Sequence, residues 1–246
     1  MSMQSHYETH LGPIYAWMLG NLDAALKRAG AELDEMGLPT QRGTALDLGA
    51  GLGLHSVALA KHGFQVTAID SCRVLLDEFR PRAAGLPINI IEADIATFAT
   101  RVAQPCDVII CLGDTLTHLP TLGAVTSLLR DAAATLCKGG LFATTFRDYA
   151  SKTLEGNERF ILVKRDENRI LTCCLDYGED RVTVHDVLTQ REDEEWVQRV
   201  SSYPKLRLAP DWVIAQLKGL GLAARLETAP SGMVRIVARN ASSSDS

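Results

Sequence analysis

The sequence lacks the features that direct a chain into a membrane or onto a nucleic acid. None of its apolar runs reaches the ~20 residues that span a bilayer. Its first residues have neither the basic nor the apolar region of a signal peptide. Lysine and arginine form no cluster and the formal net charge is −5, whereas nucleic-acid-binding domains carry basic patches. We therefore expect neither a membrane nor a nucleic acid as a partner.

Cysteine is present without any spacing typical of a metal site. The six cysteines are scattered, at positions 72, 106, 111, 137, 173 and 174. Cys111 falls inside an apolar strand pattern, where a free thiol behaves as a small hydrophobic group. We expect reduced thiols, a cytoplasmic location and no bound metal. Hydrophobic residues make up 46% of the 246 residues, which is enough for one globular unit with a sizeable core.

The most informative segment is a glycine-rich loop. Three alternating glycines, Gly49, Gly51 and Gly53, follow Asp47 at the end of an apolar strand pattern. Glycine adopts positive φ angles and lets the backbone approach a ligand closely. A dinucleotide-binding loop needs its third glycine where this chain has Leu54, and Asp47 would repel a pyrophosphate but attract an ammonium group. Both facts favour S-adenosylmethionine, a nucleoside that carries an amino acid instead of a second phosphate.

Acidic residues at the ends of later strands agree with this interpretation. Asp70 ends a second strand pattern about 20 residues after the first glycine, where an acid can accept hydrogen bonds from ribose hydroxyls. Asp94 follows a third strand pattern, and a fourth, continuous and apolar, spans 107–114. With its glycine loop, the chain resembles the class I S-adenosylmethionine-dependent methyltransferases. The resemblance implies that Asp94 meets the adenine amino group and that S-adenosylhomocysteine is the product.

The predicted fold is α/β, a doubly wound, mostly parallel, seven-stranded Rossmann-like sheet with an antiparallel β insert. Strand and helix patterns alternate in the first part of the chain, which is typical of parallel sheets with right-handed crossovers. One helix pattern, near 121–137, is expected to end at Lys138-Gly139-Gly140, a glycine stop. The predicted units are an N-terminal helical cap (1–38), a core (39–149 and 207–240), an antiparallel β insert over the active site (150–206) and a disordered tail (241–246).

Three segments resemble the glycine N-methyltransferases more closely. Residues 108–120 are similar to that family's Val-Ile-Cys-Leu-Gly-Asn-Ser-x-x-His-Leu-Pro, residues 146–149 to its His-Arg-Asn-Tyr, and residues 201–204 to its Ser-Tyr-Tyr-Pro. The resemblance implies that Arg147 grips a substrate carboxylate and that tyrosine hydroxyls such as that of Tyr203 line the methyl-transfer site.

Asp114 departs from this pattern, because the family has asparagine there. A carboxylate favours a protonated amine, which cannot attack a methyl group. Asp114 therefore faces the ammonium group of the cofactor, serves as a base, or indicates a different substrate, and the sequence leaves these alternatives open. Lys205 and Arg207 are expected at the edge of the insert, with contact to an anionic substrate as the alternative.

The predicted functional residues form three groups. The catalytic group is Asp114, Tyr149 and Tyr203, and the substrate-binding group is Arg147 and Tyr7. The cofactor-binding group is Tyr15, Asp47, Gly49, Gly51, Gly53, Asp70, Ser71, Asp94, Ile95, Leu112 and His118. Plain core packing is the alternative for Tyr7 and Tyr15, and a base role is the alternative to loop packing for His118.

The sequence thus predicts an S-adenosylmethionine-dependent methyltransferase that acts on a small molecule, with the amine of a carboxylate-bearing substrate as acceptor. O- or C-methylation of a small molecule is the first alternative, and a non-catalytic S-adenosylmethionine-binding protein is the second. Arg147 argues against the second, because a sensor needs no anion clamp. The sequence leaves open the identity of the acceptor and whether the protein is a homo-oligomer.

Overall fold

The computed structural model describes residues 3–40, 43–102, 105–229 and 232–240. The strands are β1 Thr44–Leu48, β2 Gln65–Asp70, β3 Ile88–Glu92, β4 Cys106–Cys111, β5 Leu136–Phe146, β6 Phe160–Arg165, β7 Arg169–Tyr177, β8 Arg181–Glu192, β9 Glu195–Leu206, β10 Leu222–Thr228 and β11 Val234–Asn240. The helices are α1 Met3–His6, α2 Gly12–Leu19, α3 Leu22–Glu35, α4 Leu54–Lys61, α5 Arg73–Ala83, α6 Leu122–Thr135 and α7 Pro210–Gly219.

Seven strands form the central sheet in the order β3-β2-β1-β4-β5-β11-β10. β1 to β5 are mutually parallel, and β11 runs antiparallel to both β5 and β10. The predicted α/β fold, with its mostly parallel seven-stranded sheet, is confirmed. Among the described helices, none is long and apolar enough to cross a membrane.

The middle of the sheet is apolar on both faces because helices cover both. Alternate residues of β4 point to opposite layers. Val108 and Ile110 share an apolar cluster with residues of α3 and α4, whereas Ile109 and Cys111 share one with residues of α6 and α7. All four are fully buried, which explains why β4 is a continuous apolar run rather than an alternating one.

The predicted helix stop after α6 is wrong by several residues. The helix ends at Thr135 and β5 begins at once, so that Lys138, Gly139 and Gly140 lie inside the strand. A register shift between Cys106 and Val108 accompanies this early start of β5. Gly139 has φ +77° within the strand. The glycines therefore allow an irregular backbone in this strand and do not end the helix.

The N-terminal segment 3–19 is helical but contains an irregular turn. A π-helix, Tyr7–Leu11, joins α1 to α2, and its wider turn is closed by a hydrogen bond from the Gly12 amide to the Tyr7 carbonyl. A Cβ at Gly12 would lie 2.4 Å from that carbonyl oxygen. π-Turns of this kind often occur at functional sites, and here the turn lies against the cavity described below.

The insert is a separate antiparallel sheet in the order β6-β7-β8-β9, as predicted. Arg207 fastens it to the core, donating to the carbonyl oxygens of Tyr149, at 2.9 Å, and Gly178, at 2.6 Å. The inner face of the sheet covers the carboxyl ends of the central strands. The exact division into cap, core and insert stays a prediction, and the predicted tail, 241–246, lies outside the described residues.

Candidate active site

A cavity of about 1040 Å³ opens at the carboxyl ends of the central strands. Its wall combines the glycine loop, the segments after β2, β4 and β5, the helical segment 3–19 and the inner face of the insert sheet. Doubly wound sheets bind ligands at this end. Ligand pockets usually measure ~300–1,000 Å³, so the cavity can hold a nucleoside and a second small molecule together.

The glycine loop is shaped for close packing on both sides. Gly49, Gly51 and Gly53 have φ angles of +81°, +53° and +74°. A Cβ at Gly49 would lie 2.4 Å from the Thr115 side chain, and one at Gly53 would lie 2.0 Å from the Phe79 ring. Gly49 and Gly51 line the cavity, as predicted for a ligand-binding loop. Gly53 does not line the cavity. The absence of a side chain at Gly53 instead allows the Phe79 ring to pack against the loop.

Two acids follow the glycine loop along one edge of the cavity. Asp70 accepts hydrogen bonds from the amides of Gly51 and Cys72, both at 2.8 Å, and Asp94 accepts one from the Ala96 amide at 2.8 Å. A carboxylate has about four acceptor positions, so both acids keep capacity for a ligand. This cradle of backbone and spaced acids fits a nucleoside with ribose hydroxyls and an amino group on the base.

Asp47 is not on the cavity wall, so its predicted contact with the cofactor ammonium has no support from the cavity and stays a prediction. Its side chain is buried, and one oxygen accepts a 2.6 Å hydrogen bond from the Ser56 hydroxyl. Burial raises the pKa of the Asp47 carboxyl above its usual value. Because β1 ends behind the glycine loop, Asp47 supports the start of α4 instead of facing the cavity.

Asp114 and Lys205 form a buried ion pair that the half-exposed Arg147 joins, a three-charge cluster which the sequence did not predict. Both Arg147 and Lys205 donate to the same carboxylate oxygen, at 2.9 and 2.8 Å, and the Arg147 amide donates to the other at 2.6 Å. The side chains of Asp114 and Lys205 are 3% and 6% exposed, whereas that of Arg147 is 47% exposed. Asp114 itself has φ +74°, a conformation that residues other than glycine seldom adopt.

The charges of this cluster determine the protonation state of Asp114. Burial alone would raise the pKa of its carboxyl, but the positive charges of Lys205 and Arg147 outweigh burial and hold the pKa well below its usual range. Asp114 in turn raises the pKa of Lys205 against the opposite effect of burial. An ionised, doubly paired carboxylate is a poor proton acceptor, so the structure does not support Asp114 as a base. The cluster as a whole keeps one positive charge.

Aromatic rings from three parts of the chain meet beside this cluster. The His118 ring stacks on Tyr203 with centroids 5.6 Å apart, and Tyr7 meets His118 edge to face at the same distance. Burial lowers the pKa of His118 to about 3, so the ring is neutral. Among the described residues, its Nδ1 atom has no hydrogen-bond partner. Burial raises the pKa of Tyr149 and Tyr203, and both phenols keep their protons.

His6 joins the N-terminal segment to the insert above the cavity. Its Nδ1 lies 2.6 Å from the Ser201 hydroxyl and its Nε2 lies 3.1 Å from the Asp186 carboxylate. His6 is fully buried, and its ring packs on Tyr203 with centroids 4.1 Å apart. These contacts hold segment 3–19 over the cavity as a cover.

Most of the predicted site residues lie around one cavity. The predicted residues that line the cavity are Tyr7, Tyr15, Gly49, Gly51, Asp70, Ser71, Asp94, Ile95, Leu112, Asp114, His118, Arg147, Tyr149 and Tyr203. The roles of these residues stay predictions. Asp47 and Gly53 do not line the cavity. In the described ranges of the chain, no group of three or more His, Cys, Asp or Glu residues could hold a metal ion.

The sequence interpretation missed the positions of two residues that line the cavity, Lys205 and Asp186, and of His6, which contacts Asp186. Lys205, expected at the insert edge, is buried next to Asp114, and neither His6 nor Asp186 was predicted. The alternation of inward and outward residues along β8 and β9 could have identified Lys205 and Asp186. Lys205 lies two positions after Tyr203, and Asp186 two after Val184, so each shares the inner face with a predicted or apolar residue.

Comparison with known proteins finds a methyltransferase domain in the first part of the chain. Residues 45–140 match a family model described as a methyltransferase domain. Ubiquinone biosynthesis O-methyltransferase of Coxiella burnetii is 35% identical over 107 residues, which cover 42% of this chain and 44% of that protein. Glycine N-methyltransferase of Oryctolagus cuniculus is 31% identical over 131 residues, which cover 46% and 44%. The chain therefore spans less than half the length of these curated relatives.

Solved structures match over nearly the whole chain. The CcbJ methyltransferase from Streptomyces caelestis has a TM-score of 0.78 at 20% identity and covers 96% of this chain and 98% of its own. CalS10, an amino pentose methyltransferase from Micromonospora echinaspora, has a TM-score of 0.75 at 17% identity and covers 98% of both chains. At such identities the likeness shows the fold. Residues 45–140 are therefore a methyltransferase domain, and the fold of the chain is that of these methyltransferase structures.

Proposed function

We propose that the protein methylates a nitrogen atom of a small, carboxylate-bearing molecule. The observation that carries this proposal is the continuity of one cavity. The same cavity runs from the glycine loop to the buried tyrosines and the cluster of Asp114, Arg147 and Lys205. A donor on the glycine loop and an acceptor at the charged cluster would therefore share one enclosed space under the cover formed by segment 3–19.

Residues of the core would hold the donor at one end of this cavity. Gly49 and Gly51 offer backbone without side chains, and Asp70 and Asp94 offer carboxylate oxygens to hydroxyl and amino groups. When bound, S-adenosylmethionine supplies an electrophilic methyl group on a sulfonium. Alignment of an attacking atom with such a group can contribute ~7–11 kcal/mol to lowering the barrier.

Residues of the insert and of the loop after β5 would hold the acceptor. Arg147 keeps free guanidinium N–H groups on its exposed side and can bind a carboxylate in a bidentate manner. Tyr149 and Tyr203 are neutral phenols. Their oxygens would accept hydrogen bonds from the N–H groups of the amine and so orient its lone pair, and neither phenol removes a proton from the amine. An amine with a pKa near ~10.4 must lose its proton first, which costs about 3 kcal/mol at pH ~8.

Nitrogen as the acceptor atom is supported by the names of the relatives. They include glycine N-methyltransferases among the curated proteins and a sugar N-methyltransferase, KedS8, among the solved structures. O-Methylation is the second candidate, because the relative with 35% identity is an O-methyltransferase.

A screen for S-adenosylhomocysteine release tests this proposal. The purified protein is first titrated with S-adenosylmethionine by calorimetry and then assayed with panels of amino acids, other amines, carboxylates without an amine, and phenols. We expect turnover with carboxylate-bearing amines. Turnover confined to phenols would replace the proposal with O-methylation, and donor binding without turnover on any panel would favour the non-catalytic alternative.

A further inference from the structure

The part of the cavity under the insert is more apolar than a small polar acceptor requires. Its wall includes an apolar lobe, formed by Leu154, Ile161, Val163, Leu171, Leu175 and Val184. Ile161 is 38% and Val163 is 42% exposed, although both line the cavity. Apolar side chains that line a cavity and are not fully buried can contact the apolar body of a ligand.

The strand register places this lobe beside the charged cluster. On the inner face of the insert sheet, Leu175 pairs with Val184, and Val184 pairs with Tyr203. Lys205 stands two residues along β9 from Tyr203, on the same face. Apolar and cationic groups therefore lie in neighbouring rows of one sheet, and Lys205 is the deepest charge among them, since its side chain is only 6% exposed.

Lys205 and Arg147 share one carboxylate partner, Asp114, so these three residues together carry one net positive charge. Asp186 and Asp148 also line the cavity, but the hydrogen bonds described for them do not involve Lys205. Asp186 faces His6, and Asp148 accepts hydrogen bonds from the amides that follow it. Because an ammonium has three donors, Lys205 can bind a further anionic oxygen without releasing Asp114.

We propose that the acceptor is an amphipathic anion, whose single negative group lies between Lys205 and Arg147 and whose apolar body lies on the apolar lobe. Lys205 is then the residue that determines specificity for the anion, and an acceptor as small as glycine binds less tightly because it makes no contact with the lobe. This inference rests on the proposed methyl transfer. The anionic group is a carboxylate or a phosphate ester, since both present oxygens to two cations.

Binding of matched probes to the protein saturated with S-adenosylhomocysteine tests the inference. The probes are hexanoate, hexyl phosphate, hexanamide and acetate, each titrated by calorimetry. We expect hexanoate or hexyl phosphate to bind at least about tenfold more tightly than both hexanamide and acetate. The stronger of the two anions identifies the anionic group. If hexanamide binds as tightly as both anions, the inference is overturned.

Two pairs of variants separate the contributions of charge and apolar surface. Lys205→Gln keeps a hydrogen-bond donor for Asp114 and should weaken anion binding about tenfold without affecting hexanamide, whereas Lys205→Arg should retain the preference. Ile161→Ser should weaken every six-carbon probe, whereas Leu162→Ser, its neighbour on the outer face with 56% exposure, should not. Equal effects of Ile161→Ser and Leu162→Ser would contradict the lobe. Failure of the wild type to bind S-adenosylhomocysteine would instead overturn the proposed function.

Discussion

Lys205 donates a 2.8 Å hydrogen bond to Asp114, a residue 91 positions earlier in the chain. Both side chains are almost completely buried, at 6% and 3% exposure. The pair joins the last strand of the insert to the loop after β4, and so links the two layers between which the cavity lies. Taking one partner out of such a pair leaves an uncompensated buried charge, which costs far more free energy than the intact pair contributes.

Replacement of Asp114 by asparagine should therefore destabilise the protein strongly. Asp114→Asn leaves Lys205 and Arg147 close together without a counter-charge, and we expect a loss of about 3–5 kcal/mol in the free energy of unfolding. Urea denaturation measures it. Asp176→Asn, which removes the exposed carboxylate that Arg159 and His185 share, should cost no more than about 1 kcal/mol. Similar losses in the two variants would argue against the buried cluster.

The neutral His118 ring should make stability fall in mild acid. Burial lowers the pKa of His118 from 6.5 to about 3 in the folded state. The unfolded chain therefore binds a proton as pH falls through 6.5, while the folded chain does not, so folding becomes less favourable between pH 6.5 and 3. His118→Gln removes this proton linkage. Its deficit in stability against the wild type should shrink as the pH of urea denaturation is lowered, and a deficit constant with pH would refute the neutral ring.

The glycine loop should bind the donor through open backbone at Gly51. In the protein, a Cβ at this position would meet only Leu75, at 3.8 Å, so a side chain there would project along the cavity wall. We expect Gly51→Val to abolish binding of S-adenosylmethionine in calorimetry. Gly85→Val is the matched control, because Gly85 has φ +77° and open space around it but does not line the cavity. Wild-type affinity in Gly51→Val would show that the loop has been assigned wrongly.

Arg147 should act on the acceptor and not on the donor. Arg147→Lys keeps a positive charge near Asp114 but loses the planar fork, which binds a carboxylate through two parallel hydrogen bonds. The KM for the acceptor found in the screen should rise, whereas the affinity for S-adenosylmethionine should not change. Truncation to alanine should cost about 2–5 kcal/mol of acceptor binding. An unchanged KM in both variants would show that Arg147 does not bind the acceptor carboxylate, and would favour O- or C-methylation.

The cover formed by segment 3–19 should loosen when His6 is replaced. His6→Ala removes the partner of the buried Asp186 carboxylate, and an unsatisfied buried group costs about 1–3 kcal/mol. Hydrogen exchange of the amides in α1 and α2 should become faster, and less so in the complex with S-adenosylhomocysteine. His62→Ala, which removes a contact to the exposed Asp34, serves as the control. Unchanged exchange in His6→Ala would mean that other contacts hold the segment.

The sequence alone determined the central sheet and the end of the cavity formed by the glycine loop and the acids at positions 70 and 94. Both depend on local patterns. A buried parallel strand such as β4 must be a continuous apolar run, and the alternating glycines mark a loop that needs positive φ angles. The acids at positions 70 and 94 lie where strands end, and in a parallel sheet all such ends share one edge. The order of these elements along the chain was therefore sufficient to place them in space.

The tertiary structure alone decided the charged end of the cavity, which we propose binds the acceptor. Lys205, Asp114 and Arg147 come from three separate elements, and their contact depends on how the insert folds back over the central sheet. The same holds for His6 with Asp186, which are 180 positions apart. Sequence patterns specify the face on which a residue lies, but they do not specify which faces meet. Asp47 shows the reverse case, since its pattern fits a ligand contact while its carboxylate turns to Ser56 behind the loop. Partners across such distances are set by packing between layers, which no local pattern encodes.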